Sequence, residues 1–180
     1  MTEPKIVQVH DLTFELMISE EEVQRRVAEM GKLLEEKYRD KNPLFLGVLN
    51  GSFVFTADLT RAFGGVCEVS FIKLSSYSGL ASTGTVATVI GLTVDVENRH
   101  VIIVEDIIDT GKTMHEFLPT LQKMNPASVA FATFLLKPEA VQYDFPIDYI
   151  GFEIPNKFVV GYGMDYNEQA RNLRGIYQLK

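Results

Sequence analysis

Three carboxylates, Glu105, Asp106 and Asp109, stand within five positions of one another, and Thr110-Gly111-Lys112-Thr113 follows directly. Two opposed chemistries are written side by side. The acids can accept hydrogen bonds from hydroxyls or bind a hard cation such as Mg2+. The Asp-Thr-Gly-Lys-Thr segment offers converging backbone N–H groups, two threonine hydroxyls and an ammonium, and Gly111 lets the backbone approach a ligand closely. That is a phosphate cup. The apolar run "VIIV" before it reads as a buried strand, so the motif lies at a strand's carboxyl end, where open α/β sheets bind ligands.

A P-loop also ends in Gly-Lys-Thr, but that pattern requires a glycine five positions before Gly111, where this chain has Asp106. The loop is also too short to wrap a triphosphate. A single terminal phosphate fits it, with Glu105 and Asp106 placed to hold the diol of an adjoining sugar or a Mg2+ ion. The ligand read from these residues is a ribose 5-phosphate unit.

The elements that position this motif follow from pattern. "ISEEEVQRRVAEMGKLLEEKYRDKN" predicts a helix with a capping box at Ser19 and Glu22, and an apolar face of Val23, Val27, Met30, Leu34 and Tyr38. "LFLGVL" reads as a buried strand, "NGSFVFTADLTRAF" as a turn into a helix, and "GGVCEVSFIKL" and "TVATVIGLTV" as strands. The motif strand is expected over 100–105, followed by a loop and a helix to about Met124. Pro119 inside that helix predicts a kink or break near Met114 to Leu118. Further strands are expected at "ASVAFATFLL", "DYIGFEI" and "FVVGYG". This alternation implies an α/β fold, a mostly parallel sheet with helices on both faces. The expected organisation is one domain over residues 1–180.

Composition narrows the partners. The 180 residues carry a formal charge of −7 with 46% hydrophobic residues, which speaks against a broad nucleic-acid-binding face. One cysteine, Cys67, excludes an internal disulfide and points to a reducing compartment. No apolar stretch approaches membrane-spanning length, and "MTEPKIVQVH" lacks the apolar core of a signal peptide, so no membrane partner and a cytoplasmic location are expected. His10, His100 and His115 show no metal-ligand spacing.

Four apolar residues, two acids, two apolar residues and Asp-Thr-Gly-Lys-Thr resemble the phosphoribosyl pyrophosphate signature of the type I phosphoribosyltransferases. Further segments in family order extend the resemblance over nearly the whole chain. It implies the family fold, with a small hood built from terminal segments. It also implies transfer of a 6-oxopurine, hypoxanthine or guanine, onto phosphoribosyl pyrophosphate with Mg2+ and release of pyrophosphate. "LNGSFVFTADL" resembles the loop that receives pyrophosphate through Asn50 and Gly51, with a cis bond at Leu49-Asn50; some members carry lysine in place of Asn50. "LSSYSG" resembles the mobile lid, with Ser76 and Tyr77.

By the same resemblance Lys137 donates to the purine's exocyclic oxygen, Phe158 stacks on the base and the Val159 backbone reads its edge. Asp165 lies at the purine's second position and binds Mg2+ with Glu105 and Asp106, and Arg171 meets pyrophosphate. Glu105 to Thr113 (Glu105, Asp106, Asp109, Thr110, Gly111, Lys112 and Thr113) hold ribose and its 5′-phosphate, and Asp109 handles the proton at N7. A homodimer or homotetramer is implied. The alternative is a regulatory relative that senses nucleotides and binds nucleic acid; the charge balance and the full catalytic set speak against it.

Overall fold

Ser19 begins the longest helix as its sequence predicts. Its hydroxyl accepts from the Glu22 amide at 3.3 Å and the Glu22 carboxylate accepts from the Ser19 amide at 2.9 Å. Three glutamates fill the first turn, where the helix dipole favours them. The structure is a computed structural model that describes residues 3–76, 86–92 and 94–180. Its first elements are β1 (Ile6–Val9), β2 (Leu12–Ile18), α1 (Glu20–Tyr38), β3 (Leu44–Leu49), α2 (Phe53–Ala62), β4 (Glu68–Ser76) and β5 (Val86–Ile90). There follow β6 (His100–Ile108), α3 (Lys112–Gln122), β7 (Ser128–Leu136), β8 (Tyr149–Glu153), β9 (Val159–Val160) and β10 (Ile176–Leu179).

Six strands form the central sheet in the order β5-β4-β3-β6-β7-β8, parallel throughout except for β5 at one edge. Apolar residues run continuously along the central strands because both faces are covered. Leu44, Leu46 and Val48 of β3 pack toward α3 with Val101 and Ile103 of β6. Phe45, Ile102 and Val104 point the other way, onto the apolar stripes of α1 and α2. From β3 the chain winds to β4 in one direction, whereas β6 leads to β7 and β8 in the other. The loops after β3 and β6 therefore splay apart at the switch point, opening a crevice at the carboxyl edge.

A second, antiparallel sheet, β1-β2-β10-β9, joins both ends of the chain into the hood. Its own core of Val9, Phe14, Val160 and Tyr177 ties it together. No helix among the described residues is long and apolar enough to cross a membrane.

Three local expectations need correction. Strand β6 runs on to Ile108, so Asp106 joins Glu105 in the strand and Asp109 opens the loop. Helix α3 passes Pro119 without a break. His115, whose carbonyl loses its donor to that proline, lies exposed with Pro119 on the outer face, where water can satisfy it, while Met114, Phe117 and Leu121 anchor the inner face. Finally, only Val159 and Val160 of "FVVGYG" are strand. Gly161, Tyr162 and Gly163 have φ of 101°, 49° and 101°, which turns the chain.

Candidate active site

The loop after β3 meets the end of strand β6 through a glycine. The Leu49-Asn50 peptide is cis, and Gly51 follows it. A Cβ on Gly51 would run into the Asp106 carboxylate, so any side chain there would displace that acid. Gly163, from the turn after β9, is held equally close to the Gly51 carbonyl. Three segments distant in sequence are thus brought together by positions lacking a side chain.

Glu105 and Asp106 are partly enclosed by this packing. One carboxylate oxygen of Glu105, Oε2, is buried without a hydrogen-bond partner. Burial, reinforced by the neighbouring Asp106, pushes the Glu105 carboxyl well above its ordinary value. Burial likewise raises Asp106 to about 6, opposed by the Ile107 and Asp106 backbone N–H groups and by Arg171, and assisted by Asp165. Two adjoining acids short of positive charge and donors match a ligand that brings a cation or hydroxyls. Mg2+ fits these residues on that ground. Among the described residues no three His, Cys, Asp or Glu side chains converge into a complete metal cage. Mg2+ characteristically takes one or two carboxylates and completes its shell with phosphate and water.

The raised Asp106 value has a consequence for the ligand-free protein. The folded state keeps this proton to about pH 6, whereas the unfolded chain releases it near the ordinary 3.8. The contribution of Asp106 therefore destabilises the fold progressively as pH rises between those values, and stays constant above. Asp106→Asn should raise the calorimetric melting temperature at about pH 7.5 and give no such gain near pH 4. An equal shift at both pH values would contradict the assignment.

The segment expected to form a phosphate cup lies at the start of α3. Gly111 caps the helix at φ 81° and makes no side-chain cap, which leaves the first-turn amides after Lys112 open to an anion. A Cβ there would meet the Phe145 ring at 2.7 Å. The Thr110 hydroxyl accepts from the Lys112 amide at 3.3 Å, and the Thr110 carbonyl accepts from the Gln142 and Tyr143 amides at 3.0 and 3.2 Å. Thr113 lies half-buried in the first turn. Lys112 is half exposed, its Nζ 3.8 Å from Glu116.

Beyond the cup, Asp106, Asp109, Lys137, Phe158, Val159 and Asp165 line one cleft of about 220 Å³. Ile107 and Met164 complete it; both look like ordinary core residues in the sequence, and no local signal distinguishes them. Lys137 follows β7 as Asp109 follows β6, and parallel pairing of Ile108 with Leu136 sets the two side by side. Lys137 Nζ lies 3.1 Å from Asp109 Oδ2, the lysine side chain 8% exposed and the aspartate 53%. A buried ammonium thus has one open carboxylate as its partner, at the mouth of the cleft. Phe158 is 43% exposed, its ring 6.0 Å from Phe14 and 5.9 Å from Tyr166. It is a flat apolar face left open by the hood.

Asp165 and Arg171 are paired with each other at 2.8 Å. Arg171 also reaches Glu168 at 3.1 Å and donates to the Gly163 carbonyl at 2.9 Å. Asn50 is exposed beside Gly51. Of the lid pair, Ser76 ends β4 and Tyr77 lies outside the described residues. Cys67 is half-buried against the core, and burial pushes its thiol up.

The family model for the phosphoribosyl transferase domain matches residues 19–167. The chain is 40% identical to a hypoxanthine-guanine phosphoribosyltransferase of Aquifex aeolicus, over 96% of this chain and 98% of that one. It is 41% identical to a hypoxanthine-guanine-xanthine phosphoribosyltransferase of Tritrichomonas foetus, over 92% and 91%. Among solved structures, it matches a hypoxanthine-guanine phosphoribosyltransferase of Bacillus anthracis with a TM-score of 0.86 and 37% identity, covering 92% of this chain and 96% of that one.

Proposed function

The chain belongs to the phosphoribosyl transferase family, and from that premise we infer a purine salvage enzyme. It transfers hypoxanthine or guanine onto phosphoribosyl pyrophosphate, giving IMP or GMP and pyrophosphate. The observation that carries the reading is the Asp109–Lys137 pair, 3.1 Å apart, between the phosphate cup and the exposed face of Phe158. An ammonium only donates, so Lys137 suits the exocyclic oxygen of a 6-oxopurine and opposes the amino group of adenine.

In this account the cup at Thr110, Gly111, Lys112 and Thr113 holds the 5′-phosphate, and Glu105 and Asp106 hold the ribose diol. Phe158 stacks on the purine, the Val159 backbone meets its edge, and Asp165 lies near its second position. Asn50, Gly51 and Arg171 receive pyrophosphate. N9 bonds to the anomeric carbon as the bond to pyrophosphate breaks, and Asp109 takes the proton at N7. Positive charge on the ribose develops beside the two carboxylates, which favour it. Mg2+ held with Glu105, Asp106 and Asp165 supplies charge neutralisation for the leaving pyrophosphate. Ser76 and Tyr77 belong to a lid that excludes water. Assembly as a homodimer or homotetramer and a cytoplasmic location are part of the same proposal.

Lys137→Ala tests the base-reading step. Losing a hydrogen bond from a charged donor costs about 1.5–3 kcal/mol, roughly tenfold to 150-fold in kcat/KM for hypoxanthine and guanine, mostly through KM for the base. Steady-state kinetics on each purine measures it. Unchanged values for every 6-oxopurine would place Lys137 outside the site.

A further inference from the structure

Tyr162 occupies an unusual position between the two halves of this site. It is a bulky residue at φ 49°, flanked by Gly161 and Gly163 at 101°. Such backbone is uncommon for a large side chain and persists only where the surroundings hold it. The surroundings are specific. The ring is buried 4.7 Å from that of Phe134, and the hydroxyl donates to Asp58 Oδ2 at 2.9 Å. Asp58 lies in α2, whose first turn continues directly from Asn50 and Gly51.

Two links therefore join the turn between Val159 and Asp165 to the segment that begins at the Asn50–Gly51 loop and continues into α2. One is the close approach of Gly163 to the Gly51 carbonyl. The other is the Tyr162–Asp58 hydrogen bond. Phenylalanine would fill the same space against Phe134, so packing alone does not call for the hydroxyl. Burial and the Asp58 carboxylate both raise the Tyr162 phenol, which keeps it neutral and able to donate.

We propose that Tyr162 is a positioning residue that couples the purine subsite to the pyrophosphate subsite through Asp58. The proposal rests on the functional reading above, which assigns the Val159–Asp165 turn to the base and the Asn50–Gly51 loop to pyrophosphate. Neither Tyr162 nor Asp58 touches substrate. Because coupling between two sites is reciprocal, loosening the link weakens both.

The test uses the full chain and the variants Tyr162→Phe, Asp58→Ala, Asp58→Asn and the double variant Tyr162→Phe/Asp58→Ala. Initial rates are measured with purine and phosphoribosyl pyrophosphate both varied. Tyr162→Phe should raise the KM for purine and for the donor together, each by about fivefold or more, with kcat changed less. The double variant should be no worse than either single one, and Asp58→Asn, which keeps an accepting oxygen, should recover most of the loss. A lower melting temperature with both KM values unchanged, or additive losses in the double variant, would overturn the coupling.

Amide hydrogen exchange supplies a readout independent of turnover. In Tyr162→Phe, exchange should quicken together over 49–53 and 159–165 while β6 and β7 keep their protection. No change over 49–53, or an equal rise across β6 and β7, would overturn the proposal. An inactive wild type, together with the expected exchange change in Tyr162→Phe, would count against the enzymatic reading alone.

Discussion

Asp109→Asn lowers the rate of bond formation by about 100-fold to 10,000-fold, the range that positioned acid–base groups contribute. Asparagine keeps the size and most hydrogen bonding of Asp109 but lacks the basic oxygen. The side chain is half exposed and pairs with the buried Lys137 ammonium. Asparagine keeps an oxygen that can accept from that ammonium but removes its counter-charge, so a melting curve of the variant accompanies the kinetics. Donor affinity should change little, because the phosphate cup lies in the following residues. Single-turnover kinetics is the proper measurement, since product release can otherwise limit the rate and hide the loss. A single-turnover rate near wild type would leave Asp109 only a loop-shaping residue. Loss of donor binding together with the rate would assign it to the cup instead.

Removal of divalent metal abolishes turnover, and added Mg2+ restores it. The ligand carries clustered phosphate charge into a site where Glu105 and Asp106 are already short of positive charge, with Glu105 Oε2 unpartnered. Lys112 stands half exposed beside Glu116, and Arg171 is shared with Asp165 and Glu168. These two cations by themselves leave the pyrophosphate poorly neutralised. Activity should vanish in excess chelator and return in proportion to Mg2+ added beyond it. Full turnover in the chelator would contradict the role given to the carboxylates. A readout without turnover is the melting temperature with pyrophosphate, which should rise further when Mg2+ is present.

The strand end, loop and helix start that carry the proposed phosphate cup were legible because their chemistry is contiguous. Residues 105–113 carry acids, small residues and donors in one stretch, and each type answers to a different part of one ligand. The sheet was legible for a similar reason, since runs such as "VIIV" and "FATFLL" are too apolar to face water on either side. The hood strands β1, β2 and β10 gave little local signal. β1 and β2 form a local hairpin, but β10 joins them across most of the chain, Ile176 with Ile18, and only the family resemblance implied the hood they form.

The junctions were hidden for the same physical reason. Lys137 and Asp109 are 28 residues apart, and their contact depends on parallel registration of β6 and β7. The pairing of Arg171 with Asp165 and Glu168 depends on a run of left-handed residues, among them Asn167 and Glu168, that no spacing announces. Pro119 misled in the opposite direction. The helix runs on unbroken past it, and the His115 residue whose carbonyl loses a donor is exposed to water.

Incubation with phosphoribosyl pyrophosphate and Mg2+, with hypoxanthine, guanine and adenine supplied separately, addresses the whole reading at once. Nucleotide and pyrophosphate should appear in equal amounts with hypoxanthine or guanine, and no nucleotide should form with adenine, whose amino group meets the Lys137 ammonium donor to donor. Turnover of adenine alone, pyrophosphate released without nucleotide, or nucleic-acid binding at low salt with no turnover of any base would contradict it.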